Sequence, residues 1–191
     1  MNQKDKLDWL NSYYSLYKES IFDKSILKKM VDLSEIWEKD CRQKGKKIIF
    51  AGNGGSAAMA SHCAVDFTKN ANIRAINFNE PDLITCLSND YGYENWVSSA
   101  IEMYADEGDH VVLFSSSGNS KNMLNAAKFV KANDLFLTTF TGFSKKNLLR
   151  KEGNFNFWVN SNAYNIVEMT HHIWILSLCD LLIGDAYYSA N

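Results

Sequence analysis

Proline is almost missing from this chain. Pro81 is the only one in 191 residues, so no Pro-rich linker divides it, and no low-complexity segment is present. Basic charge is not in excess: 20 Lys and Arg stand against 22 Asp and Glu, a net charge of −2. That excludes nucleic acid as the main partner, because neutralising a phosphate backbone takes clustered Lys and Arg. Long apolar runs are missing too. The longest near-apolar stretch, residues 174–183, is too short to span a bilayer and contains Asp180. The opening MNQKDKLDWL lacks the apolar core of a secretory signal. Cysteine is limited to Cys41, Cys63, Cys86 and Cys179, with no C-x-x-C pair. Without a secretory signal these read as reduced core residues, and the protein is expected in the cytoplasm.

What the chain does have is apolar material, 46% of its residues, enough to bury a sizeable core. Its length suits one α/β domain with a helical extension. Leu7, Leu10, Tyr14, Tyr17 and Ile21 recur at spacings of three and four, one stripe of an amphipathic helix. Ile26, Met30, Leu33, Trp37 and Cys41 form a second. Together they predict an N-terminal helical hairpin over residues 1–45, more suited to an oligomer contact than to packing on its own domain. Over residues 46–191 the pattern alternates. Strands are expected at 47–51, 74–78, 111–114, 135–140 and 156–159, and helices at 56–68, from Pro81 onward, at 119–131 and at 163–183. Alternating strands and helices predict a parallel sheet covered on both faces, a three-layer α/β sandwich in a single domain.

Two segments share one grammar: IIFAGNGGSAA and VVLFSSSGNSKN each run from an apolar strand through Gly, Ser and Asn into a helix. Small residues let backbone N–H groups approach an anion, and the following helix N-terminus adds unpaired donors and partial positive charge. Ser115, Ser116, Ser117 and Ser120 add hydroxyls that can converge on a phosphate. Any one serine could be a helix cap, but four in six positions after a buried strand are more than capping requires. Residues 52–57 also fit the loose G-x-G-x-x-A dinucleotide pattern. A dinucleotide site wants an acid ending the second strand, where only Glu80 is available, and leaves the second loop unexplained. No nucleotide cofactor is expected.

The AGNGGSAA, SSSGNS and SND-YGYEN segments resemble the sugar isomerase (SIS) superfamily, and within it the phosphoheptose isomerases, from about residue 4 to residue 184. The resemblance implies a five-stranded parallel sheet, a homotetramer and active sites formed between subunits. It implies aldose–ketose isomerisation of sedoheptulose 7-phosphate or a related sugar phosphate, feeding the heptoses of bacterial surface polysaccharides. The phosphosugar contacts expected are Asn53, Gly54, Gly55, Ser56, Thr68, Asp90, Ser115, Ser116, Ser117 and Ser120. The alternative is a non-catalytic phosphosugar-binding or scaffold protein.

Isomerisation needs a group that moves a proton between adjacent carbons and something to stabilise the enediolate. His62 and Asp66 stand at i, i+4 on one helix, and Glu168 and His172 at i, i+4 on the last. If those helices meet, carboxylates and histidines converge in an acid/base or zinc site. The expected catalytic residues are Asp66, Glu168 and His172, and the expected zinc ligands are His62, Asp66, Glu168 and His172. By resemblance, His62 matches a metal ligand of the family, and Asp66 stands where the family has a catalytic, metal-binding glutamate. The family's last helix carries a Gln and, eight residues later, a catalytic His. The ungapped positions here are Val167 and Ile175, and a one-residue shift gives Glu168 and Leu176.

Overall fold

In the computed structural model of the chain, which describes residues 1–187, five strands pair throughout in parallel. They are β1 (Ile48–Gly52), β2 (Ala75–Asn77), β3 (His110–Ser115), β4 (Phe136–Thr141) and β5 (Phe155–Trp158), in the order β2-β1-β3-β4-β5. Every residue of β1 and β3 is buried, as continuous apolar runs in a sheet covered on both faces require. Alternate residues serve opposite faces. Ile48, Phe50, Val112 and Phe114 join one core cluster, while Ile49, Ala51, Val111 and Leu113 join the other. On the first face Phe50, Phe114, Phe140 and Phe157 form a cross-strand row, with successive ring centroids 6.2, 5.0 and 4.7 Å apart.

The first face is covered by α3 (Lys24–Trp37), α4 (Gly55–Lys69) and α8 (Tyr164–Ile183), the second chiefly by α6 (Trp96–Tyr104) and α7 (Lys121–Ala132). A helix α5 (Pro81–Tyr91) begins with its proline in the first turn, where no backbone donor is lost. The stripe Ile26, Met30, Leu33, Trp37 and Cys41 is buried throughout, its last residue in a π-helical continuation of α3, Glu38–Gln43. The stripe before it behaves differently. Helix α1 (Gln3–Ser15), followed by the single turn α2 (Lys18–Ile21), buries no residue, and Leu7, Leu10 and Tyr14 are 60%, 42% and 64% exposed. By length and composition α8 could cross a membrane, but half of its most apolar stretch is buried inside the fold. All four cysteines are free; Cys41, Cys63 and Cys179 are buried.

Candidate functional site

The strand order reverses direction between β1 and β3: the chain builds outward to β2 from one and to β4 and β5 from the other. In open α/β sheets ligands bind outside the carboxyl ends of the strands at such a switch point. The loops following β1 and β3 meet there, around a cavity of about 180 Å³ lined by Asn53, Ser56, Ser115, Ser116, Ser117, Ser120, Tyr164 and Glu168.

The first loop turns at Gly54, the N-cap of α4, with φ +56° and no side-chain cap. The N–H groups of Ser56 and Ala57 bond back to the carbonyls of Asn53 and Gly54; no such bond occupies that of Gly55. The second loop turns at Gly118, φ +62°, whose N–H donates to the Ser115 carbonyl at 3.0 Å. Ser120 is the N-cap of α7, yet its hydroxyl caps nothing and lies 3.4 Å from that of Ser115. The Ser116 hydroxyl is buried, lines the cavity and has no hydrogen bond of normal geometry. The Glu168 carboxyl lines the same cavity. Burial raises that carboxyl above its ordinary range, and Ser116 partly offsets the rise.

A second group of side chains lies further along α4 and α8. His62 Nε2 is 3.2 Å from Asp66 Oδ2, and His62 Nδ1 is 3.0 Å from His172 Nε2. A carboxylate can only accept, which places the His62 proton on Nε2. His62 Nδ1 is then the acceptor for His172 Nε2–H, and His172 Nδ1 keeps its lone pair. Burial first, then the neighbouring His62, lower the pKa of His172, while Asp66 opposes them. His172 is therefore neutral near pH 7.

The expected four-residue metal set is not assembled. Glu168 packs on Gly55, where a Cβ would stand 2.3 Å from its Oε2. Seven residues of α4 separate Gly55 from His62, roughly 10 Å along the axis. Asp66 and His172 sit on opposite nitrogens of His62, so the three cannot share one ion in this arrangement. Among the described residues no three His, Cys, Asp or Glu side chains are grouped to hold a metal. Two expected sugar contacts lie elsewhere. The Thr68 hydroxyl accepts from Ala75 N–H and donates to its carbonyl, both 3.1 Å, tying α4 to β2. Asp90 is exposed near the end of α5, accepting from Asn89 at 2.9 Å, and does not line the cavity. Asn53 lines it, but its amide is engaged: it exchanges hydrogen bonds of 3.0 and 2.8 Å with buried Asn122 and accepts from the Tyr93 hydroxyl at 3.2 Å. Tyr164, which lines the cavity, and Tyr93 and Asn122, which hold the Asn53 amide beside it, were not singled out from the sequence. Val167 and Ile175 are fully buried in the core. His110 and His171 are also buried, His110 stacked on Phe136 and His171 bonded to the Thr141 carbonyl.

The SIS domain family model matches residues 27–142. A phosphoheptose isomerase of Fusobacterium nucleatum is 39% identical over 104 residues, covering 52% of this chain and 54% of that protein. The chain thus spans about half the length of that curated relative. A phosphoheptose isomerase of Thermodesulfovibrio yellowstonii is 31% identical over 171 residues, covering 86% of this chain and 84% of that protein. The solved structure of a phosphoheptose isomerase from Francisella tularensis has a TM-score of 0.84 at 21% identity, covering 97% of this chain and 100% of the other. At that identity the likeness establishes the fold alone.

Proposed function

The chain belongs to the SIS domain family, and on that premise we propose that it is an aldose–ketose isomerase acting on sedoheptulose 7-phosphate or a related sugar phosphate. The product would feed the heptoses of bacterial surface polysaccharides. One observation carries this reading: the serine-lined cavity at the switch point and the Asp66–His62–His172 chain lie along the same pair of helices, about two turns apart. That separation suits a ketose whose reacting carbons lie several bonds from its phosphorus. Backbone N–H groups of both loops, with the hydroxyls of Ser56, Ser115, Ser116, Ser117 and Ser120, hold the phosphate. His172 Nδ1 removes a proton from C1 of the ketose, giving an enediol(ate), and returns it to C2 while the O1 hydroxyl proton passes to O2, leaving the aldose. As Nδ1 gains that proton, the Nε2 proton shifts toward His62, and His62 toward Asp66, which spreads the positive charge. Asp66 and His172 are thus the catalytic pair of this reading.

Zinc is absent from this scheme because both ring nitrogens of His62 are engaged by different partners. The uncovered stripe of α1 supports a homotetramer in which that stripe is buried, and the balanced charge and free cysteines support a cytoplasmic location. Incubation with sedoheptulose 7-phosphate, with and without zinc, followed by NMR of the products, tests the activity. Failure to form any aldose phosphate under either condition would refute it.

A further inference from the structure

The anion seat between the two loops is held by the protein's own carboxylate. Glu168 reaches from α8 onto the first turn of α4, with its Oε2 2.3 Å and its Cδ 3.0 Å from where a Cβ on Gly55 would stand. It is the one formally charged side chain lining the cavity, and its sign is that of a phosphate. Nothing cationic compensates it: among the described residues no Lys or Arg pairs with Glu168. Around it lie Tyr164 one turn away on α8, Ser56 on α4, and Ser115–Ser117 on the second loop. The Ser116 hydroxyl, 5% exposed and without a bond of its own, faces the same space. A buried hydroxyl left unpaired costs free energy until a ligand pairs it.

We propose that Glu168 is the resident anion of this cradle and its specificity filter: an entering phosphate must displace the carboxylate from Gly55 before it can pair the Ser116 hydroxyl. Bare phosphate meets a like charge and has only P–OH donors, fixed on the same phosphorus that the loops must hold. A phosphate ester of a polyol brings hydroxyls that donate to the displaced carboxylate, recovering what the displacement costs. Glu168 therefore rejects inorganic phosphate and admits sugar phosphates, which deepens the phosphosugar reading above and rests on it.

Calorimetric titration of the full chain with inorganic phosphate and with sedoheptulose 7-phosphate tests this. Glu168→Gln removes the charge and keeps the shape, and Glu168→Ala empties the seat; circular dichroism establishes that each is folded. Each should bind inorganic phosphate at least about tenfold more tightly than the wild type, because a like charge at close range is gone. The preference for the sugar phosphate over inorganic phosphate should shrink by a similar factor. Inorganic phosphate binding no tighter in a folded variant than in the wild type would overturn the proposal. The underlying reading has its own control: a folded Ser115→Ala, Ser117→Ala, Ser120→Ala triple variant that keeps full affinity for the sugar phosphate would sink the cradle itself. Tighter phosphate binding in the Glu168 variants, lost again when the three serines are removed, supports both.

Discussion

Replacing Gly118 by alanine should destabilise the protein by much more than its backbone angle alone explains. At φ +62° an L-residue pays about 1–2 kcal/mol for the left-handed conformation. The larger effect comes from below the loop. An alanine Cβ would stand 2.1 Å from Asn147 Oδ1 and 2.3 Å from its Cγ, so the asparagine must leave. Asn147 is 2% exposed and cannot move into solvent in place. Its amide donates to the Gly142 carbonyl at 3.2 Å and the Ser144 carbonyl at 2.9 Å, and accepts from Arg150 N–H at 3.0 Å. At about 1 kcal/mol for each of these bonds, the total is roughly 4 kcal/mol. Gly45 supplies the control: its φ is +72°, but nothing lies within 4 Å of its Cβ position, so Gly45→Ala should cost only about 1 kcal/mol. Urea unfolding read by circular dichroism would separate them. With an m-value of roughly 2 kcal/mol/M, the Gly118→Ala midpoint should fall about 1.5 M below that of Gly45→Ala. Two coincident midpoints would show that Asn147 does not brace the second loop.

His172→Gln should lower kcat at least about 100-fold with little change in KM, and Asp66→Asn should lower it by a smaller factor; turnover unaffected by both would remove this chain of groups from the mechanism. His171 is fully buried as the neutral form, its pKa pushed down to about 4 by burial against an opposing bond to the Thr141 carbonyl. The unfolded chain takes up that proton near 6.5, so stability should drop as pH falls from 6.5 toward 4, by about 1.4 kcal/mol per pH unit for this residue. In His171→Gln that acid slope should be shallower in urea titrations, and an identical slope would refute the assignment. Light scattering at micromolar concentration should give a tetramer mass, and Leu7→Glu with Leu10→Glu should reduce it; a monomer in the unsubstituted protein would count against burial of the α1 stripe.

The alternation of strand and helix was readable because burial on both faces leaves continuous apolar runs, and β1 and β3 match theirs to within a residue or two. Helix α6 escaped. Its buried face, Trp96, Val97, Ala100 and Ile101, has helical spacing, but it follows directly on a turn-rich YGYEN segment that masks its start. The stripe of α1 was equally plain in sequence, but it is not buried: Leu7, Leu10 and Tyr14 stay exposed. Both Gly/Ser-rich loops were legible because their composition is local. The Asn53–Asn122–Tyr93 cluster was not, since its members lie up to 69 positions apart and only the sheet brings them together. Asp90 was expected by resemblance and Thr68 from its place further along the first helix, and neither lines the cavity of this chain.

Which helical turn faces which decides the rest of the site. Glu168 and His172 share a face of α8, as i, i+4 spacing requires, and both look toward α4. Yet α4 offers them different partners: Gly55 at its first turn and His62 two turns later. One pair of helices thus divides the acidic and basic groups between two ends of one groove. The carboxylate falls at the serine-lined cavity. The imidazole falls beside a second histidine that already rests on Asp66. On the same helix Val167 and Ile175, where the resemblance leads one to look for a glutamine and a histidine, point into the core and are fully buried. A polar side chain at either position would face apolar neighbours and lose its hydration without a partner. The polar face of α8 therefore begins one residue later, about 100° around the helix, and the titratable groups it presents toward α4 are Glu168 and His172.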